Sequence, residues 1–315
     1  MYQKSLHYIV FIFTNSVHQH TVHRDFHQSR IDVWARHQWP SANHAAIQKA
    51  LRKGWIKVDG KKVSPSTRLQ ANSHVTVSPY WSHRFTVQHT DSMLTDAWKQ
   101  RISQWILYED ANTIVLNKPS GLACQGGSGQ KYHVDGLMRH WYKNGVVRLV
   151  HRLDQQTSGV LILAKTLSYT RKMAACFQNG LVKKTYWAIV HGVVPAKGVI
   201  RTALERRGRI MVPSTGPEAL HSMTRYVRKN VANGWSWVEI FPTTGRMHQI
   251  RAHMAFIGHP IVGDMVYGPD VNQAQHSELL LHCHHMAWTV DAVTVSVTAP
   301  CPSRFNTVSD LFTCA

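Results

Sequence analysis

Six apolar runs of strand length follow one another from about residue 106 onward: "NTIVLNK", "GVLILAKT", "TYWAIVHG", "WSWVEIFP", "LLLHCHHMAW" and "VTVSVTAP". β-branched and aromatic residues fill them, as pleated, half-buried segments require. Only two helical patterns interrupt the series. "LSYTRKMAACFQNG" lies between the second and third runs, and "GRMHQIRAHMAFIG", ended by Gly258 and Pro260, lies after the fourth. Strands therefore outnumber helices and do not alternate with them, which argues against a repeated βαβ plan. The expected class is α+β, with a mainly antiparallel mixed sheet in a domain spanning 106–315.

A smaller unit precedes it over residues 29–79. Pro40 and Ser41 open a helix, "SANHAAIQKALRKG", whose Ile47, Ala50 and Leu51 form one apolar stripe and which Gly54 ends. "WIKVDGKKV" reads as a hairpin with Asp59-Gly60 as its two-residue turn, and "HVTVS" as a further short strand. Residues 80–105 read as a linker, with a helix near "TDAWKQRI". Residues 1–28 are expected to be a disordered leader. Its apolar run, "YIVFIF", is too short to span a bilayer, and no cleavage pattern follows it. A mitochondrial presequence is the alternative reading, since Asp25 is the first acid.

The 315-residue chain carries 36 Lys+Arg against 17 Asp+Glu, a formal net charge of +19. An imbalance of this size points to a polyanionic partner, and RNA is the expected one. Between Ser41 and Arg68 there are seven basic residues and a single acid, Asp59. Lys49, Arg52, Lys53, Lys57, Lys61 and Lys62 are the expected phosphate contacts. The five cysteines form no C-x-x-C pair, which suits a reducing compartment and excludes both a disulfide framework and a standard zinc ribbon. "LHCHH" at 281–285 lacks further ligands at metal-site spacing, and "GGSG" at 126–129 lacks the strand-to-helix setting of a phosphate loop. The expectation is a monomer with no metal, no cofactor and no membrane.

Three places could carry chemistry. Asp154 ends "HRLD" at a turn that runs into the apolar strand Val160 to Ala164, with His151 and Arg152 beside it. Tyr186 shares one face of its strand with Ala188 and Val190, while Trp187 and Ile189 take the other. Arg246 follows Gly245 where a strand turns into a helix, against the sense of the helix dipole, as a residue with an anionic partner would be.

"VHRLDQQTSGVLILAKT", "KKTYWAIVHG", "GRMHQIRAHMAFIGHPIVGDMVYG", "LNKPSGLACQGGSG" and "LLLHCHHMAWTV" together resemble the RluA-type pseudouridine synthases, from about Tyr108 to Pro302. The module at 29–79 resembles the ribosomal-protein-S-four-type RNA-binding domain, and with "GGSG" it points to the RluC-like branch that modifies large-subunit ribosomal RNA. Transfer RNA or mitochondrial RNA is the alternative substrate, and a non-catalytic ribosome-assembly factor the alternative function. The resemblance implies that Asp154 is the catalytic carboxylate, open to either direct attack on the ribose or assistance of an elimination. It implies that Arg246 pairs with Asp154, and that Tyr186 stacks on an extruded uracil. Two lysines before Tyr186 and Arg246 are expected to ease ionisation of its phenol, which would take the proton from carbon 5. Arg152 matches the residue that fills the vacated space, and His151 is expected to face RNA beside it. Gln155-Gln156, Met247 and Cys124-Gln125 depart from the usual motifs without removing a catalytic group. An isomerase in a bacterial-type cytoplasm is the implied whole, with the mitochondrial matrix as the alternative.

Overall fold

The computed structural model describes residues 18–39, 42–81, 95–126, 132–142, 147–268 and 278–305. Most of the "GGSG" loop and residues 1–17 of the expected leader lie outside them. The chain divides into two compact units, 1–93 and 94–315.

The first unit places two helices beside a four-stranded antiparallel sheet of order β1-β4-β2-β3, with β1 His18–Thr21, β2 Ile56–Val58, β3 Lys61–Lys62 and β4 His74–Val77. Helix α1 (Ile31–Gln38) buries Ile31, Trp34 and Ala35, and α2 (His44–Lys53) buries the predicted stripe Ile47, Ala50 and Leu51. The cap of α2 is Asn43 rather than Ser41, its side chain accepting from Ala46 N at 2.9 Å. Gly54 closes the helix at φ +71°, and Asp59-Gly60 makes the hairpin turn with both φ values positive. Residues 18–28, expected to end a leader, instead belong to this unit. β1 pairs with β4, and Val22 and Phe26 are buried. Histidines in "HQHT" conceal the strand, because all four residues are polar and none of them is buried.

In the second unit, α3 (Asp96–Trp105) leads into β5 (Ile106–Glu109) and β6 (Thr113–Lys118), so the end of the expected linker is helical. Then come α4 (Val134–Trp141), β7 (Arg148–Leu149), β8 (Ser158–Ala164), α5 (Leu167–Gln178), β9 (Lys183–His191) and β10 (Lys197–Ile200). A two-stranded hairpin, β11 (Leu204–Arg207) and β12 (Ile210–Pro213), follows. β13 (Thr224–Ala232), β14 (Trp235–Pro242), α6 (Gln249–Phe256), β15 (Leu281–Val290) and β16 (Val293–Thr298) complete the unit.

Ten strands form one sheet, whose path is β10-β13-β14-β9-β15-β8-β6-β5, with β16 on β15 and β7 on β8. Every pairing is antiparallel except β15 with β8. β8 is buried along its whole length, which explains its unbroken apolar sequence. The parallel pair is short, and it depends on Gly159. At φ +109° a Cβ there would lie 2.1 Å from the Cys283 carbonyl oxygen, so only glycine allows the two backbones to meet. This approach aligns Gly159, Cys283 and Tyr186 across three neighbouring strands.

Candidate active site

Asp154 sits in the turn that feeds β8. Its carbonyl accepts from Thr157 N at 3.1 Å, which closes the turn, and its carboxylate is partly exposed. The turn is anchored from beneath by Lys118, the last residue of β6. Fully buried, its ammonium donates to the carbonyls of Pro119, Leu122 and Gln155 at 2.9, 2.8 and 3.0 Å. Three donors meet three acceptors, so the charge is satisfied in place. Cys124 adds a second tie, its thiol donating to Leu153 O and accepting from Leu153 N. Ser120 Oγ and the Gln155 side chain complete the join between the 119–122 loop and the turn.

The cation that meets Asp154 is Arg251, not Arg246. Arg251 Nη1 lies 3.4 Å from Asp154 Oδ2, while its Nε and Nη2 grip both oxygens of Asp264 at 2.8 and 2.7 Å. Burial opposes the charge on Asp264, but Arg251 and the backbone N–H groups of Val266 and Tyr267 hold it below the usual carboxylate range. Arg246 is exposed and donates from Nε to His221 O at 3.2 Å. The expected pairing of Arg246 with Asp154 is therefore corrected. Helix α6 begins at Gln249, whose side-chain oxygen accepts from Arg246 N and Thr244 Oγ1, so Arg246 lies in the preceding turn.

His151 is also turned away from the role expected of it. Its Nε2 accepts from Ile162 N at 2.9 Å, and its ring stacks on Phe177 at 4.7 Å. Burial pushes it down to about 3, which leaves the neutral ring that an acceptor needs. Arg152, its neighbour, is exposed.

The match with known proteins falls on these elements. A family model described as RNA pseudouridylate synthase covers residues 112–256. The ribosomal large subunit pseudouridine synthase C of Rickettsia bellii is 34% identical over 292 residues, 89% of this chain and 97% of that protein. The chain belongs to the RNA pseudouridylate synthase family. The synthase C of Vibrio vulnificus is 31% identical over 300 residues, covering 91% of this chain and 94% of the relative. Among solved structures, human RNA pseudouridylate synthase domain containing 4 matches with a TM-score of 0.58 at 25% identity, over 67% of this chain and 93% of that one.

In this synthase the ionisation of Tyr186 is not eased. Tyr186 is buried, and burial pushes its phenol well above the ordinary range, with Cys283, Asp154 and Cys124 opposing a phenolate further. Lys184, expected to help, donates its ammonium to Thr244 O at 3.2 Å instead. The resting phenol is neutral and lies across the strands from Cys283, whose thiol burial pushes up to about 12. The histidines of "LHCHH" are taken up by the fold. His282 Nδ1 meets Ser158 Oγ at 2.7 Å, and His284 stacks on Trp187. No group of three or more potential metal ligands occurs among the described residues.

Lys118 is expected to set a pH limit on turnover. Burial lowers it to about 8, so below that pH the ammonium holds three carbonyls and above it the amine has one donor fewer. The turn that carries Asp154 then loses an anchor. Single-turnover rates measured from pH 6 to pH 10 are expected to hold a plateau and fall above about pH 8. A plateau that continues to pH 10 would show that the anchor does not control the turn.

Proposed function

We propose that this enzyme isomerises uridine to pseudouridine in large-subunit ribosomal RNA, with Asp154 as the covalent or eliminating carboxylate. The observation that carries the reading is a partly exposed carboxylate whose Oδ2 is engaged by Arg251, a few strands from a buried tyrosine ring. In the reaction the bond between N1 and ribose C1′ breaks, the base turns, C5 bonds to C1′, the C5 proton leaves to solvent, and N1 takes up a proton in its place. No electron is gained or lost overall. Arg251 holds Asp154 through Oδ2 and leaves the carboxylate available to C1′. Tyr186 offers the base a neutral aromatic face. Arg152, exposed beside the turn, takes the space left by the extruded base. The names of the bacterial relatives favour ribosomal RNA over transfer RNA.

The first unit is proposed as the S-four-type RNA-binding domain of this enzyme. Lys49, Arg52, Lys53, Lys57, Lys61 and Lys62 are all exposed on α2 and the hairpin. No helix among the described residues is long and apolar enough to cross a membrane. A reducing, bacterial-type cytoplasm is the proposed setting, in keeping with the buried thiols of Cys124, Cys176 and Cys283.

Tritium release from carbon-5-labelled transcripts tests the substrate. Release is expected from large-subunit ribosomal RNA, and release from transfer RNA alone would reverse the assignment. Replacing the six basic residues by Gln is expected to lower the slope of log affinity against log salt by up to about five, as six lost phosphate contacts predict. An unchanged slope would remove the first unit from the RNA interface.

A further inference from the structure

His248 stands out by its backbone. It caps α6 at φ +50°, a left-handed conformation that costs a non-glycine residue of this kind about 1 kcal/mol. Such strain persists where neighbours fix it, and here the neighbours are the catalytic groups. One ring nitrogen, Nε2, lies 3.9 Å from Asp154 Oδ2. The other, Nδ1, lies 3.1 Å from Tyr267 Oη, with the two rings edge to face. Tyr267 is itself fixed twice. Its oxygen accepts from Met211 N at 2.8 Å, and its backbone N–H is held by Asp264.

The proton positions follow from these contacts. Burial, assisted by Arg251, lowers the His248 imidazole below its ordinary range despite Asp154, so the ring is neutral. A neutral ring donates from one nitrogen and accepts at the other. If Nε2 were bare, its lone pair would face the Asp154 carboxylate. The favoured tautomer accepts the Tyr267 hydroxyl proton at Nδ1 and points Nε2–H at Asp154. The gap to Oδ2 is about 1 Å longer than a normal hydrogen bond, and catalytic contacts commonly tighten when substrate binds.

We propose that His248 is a positioning residue. Locked in its Nε2–H tautomer by Tyr267, it holds Oδ2 of Asp154 together with Arg251, so that Oδ1 is the oxygen presented to the ribose. His248 and Arg251 are three residues apart at the start of α6 and reach the same oxygen from one side. Oδ1 accepts no side-chain hydrogen bond among the described residues. The inference rests on Asp154 as the reacting carboxylate.

The test uses two amides of different reach. In His248→Asn the amide stands where Nδ1 was, so Tyr267 keeps a partner and Asp154 loses its donor. Asn also accepts positive φ, so the cap is kept. In His248→Gln the amide nitrogen reaches the Nε2 position. The single-turnover rate at saturating RNA is expected to fall about 10- to 100-fold in His248→Asn, as for other outer groups that orient a reacting ligand, with KM unchanged. His248→Gln is expected to recover most of that loss. Imidazole ¹⁵N shifts of the full-length wild type should show Nε2 protonated, and Tyr267→Phe should mix the tautomers. An Asn rate within about twofold of wild type, a Gln variant as slow as Asn, a loss confined to KM, or a bare Nε2 in the wild type would each overturn the proposal. Turnover that survives Asp154→Asn would instead remove the reading on which it rests.

Discussion

Asp154→Asn is expected to lower turnover by at least about 10,000-fold, the scale seen when a covalent catalytic group is removed from its site. Asn nearly matches Asp in shape, but its amide neither forms the ester nor takes a proton at that oxygen. The fold should tolerate the change. Asp154 is partly exposed, and Arg251 keeps its stronger, two-point grip on Asp264 when the 3.4 Å contact is lost. The turn is held by backbone and by Lys118, neither of which uses the carboxylate. RNA affinity is therefore expected to stay near that of wild type. The measurement is single-turnover tritium release beside a binding titration. Turnover within about a hundredfold of wild type would end the assignment of Asp154.

Replacing Arg251 should damage both stability and activity, in contrast to Arg246. Arg251→Met leaves Asp264 buried without its cation, and breaking a buried pair in this way typically costs about 3–5 kcal/mol. The same change removes the positive group beside Asp154, and turnover is expected to fall by about 100-fold or more where the variant remains folded. Arg246 is exposed and bound to a single carbonyl, so Arg246→Ala should leave the unfolding free energy within about 0.5 kcal/mol and should keep turnover. Urea unfolding and single-turnover rates on both variants decide the matter. Equal losses in the two would return Arg246 to the site.

The contrast between the two arginines shows how far local reading reaches. The turn that carries Asp154 is legible because its signals are neighbours in sequence: polar turn residues run straight into an unbroken apolar strand. Tyr186 is legible on its face for the same reason, since strand alternation alone separates it from Trp187. The strand β13 is not legible, because Arg225, Arg228 and Lys229 interrupt its pattern, and only Thr224 and Tyr226 are buried along it. The lysines before Tyr186 suggest a positive field in the sequence, yet the phenol meets Cys283 and burial instead.

What the sequence determines by itself is what adjacent residues settle among themselves: the strand-rich class, the α2 stripe, the Asp59-Gly60 hairpin and the turn before β8. The partners across the site are decided only by tertiary structure. Arg251 lies 97 residues from Asp154, and its direction depends on where α6 starts and on which face meets the turn. Lys118 reads as one more lysine until the chain folds three carbonyls around it. Nothing local marks Gly159 until β15 lies against it, where a Cβ would meet the Cys283 carbonyl oxygen. In each case the deciding term is the low-dielectric interior, where a charge or a close backbone approach is tolerated only with its partner in place. That partner comes from a distant part of the chain.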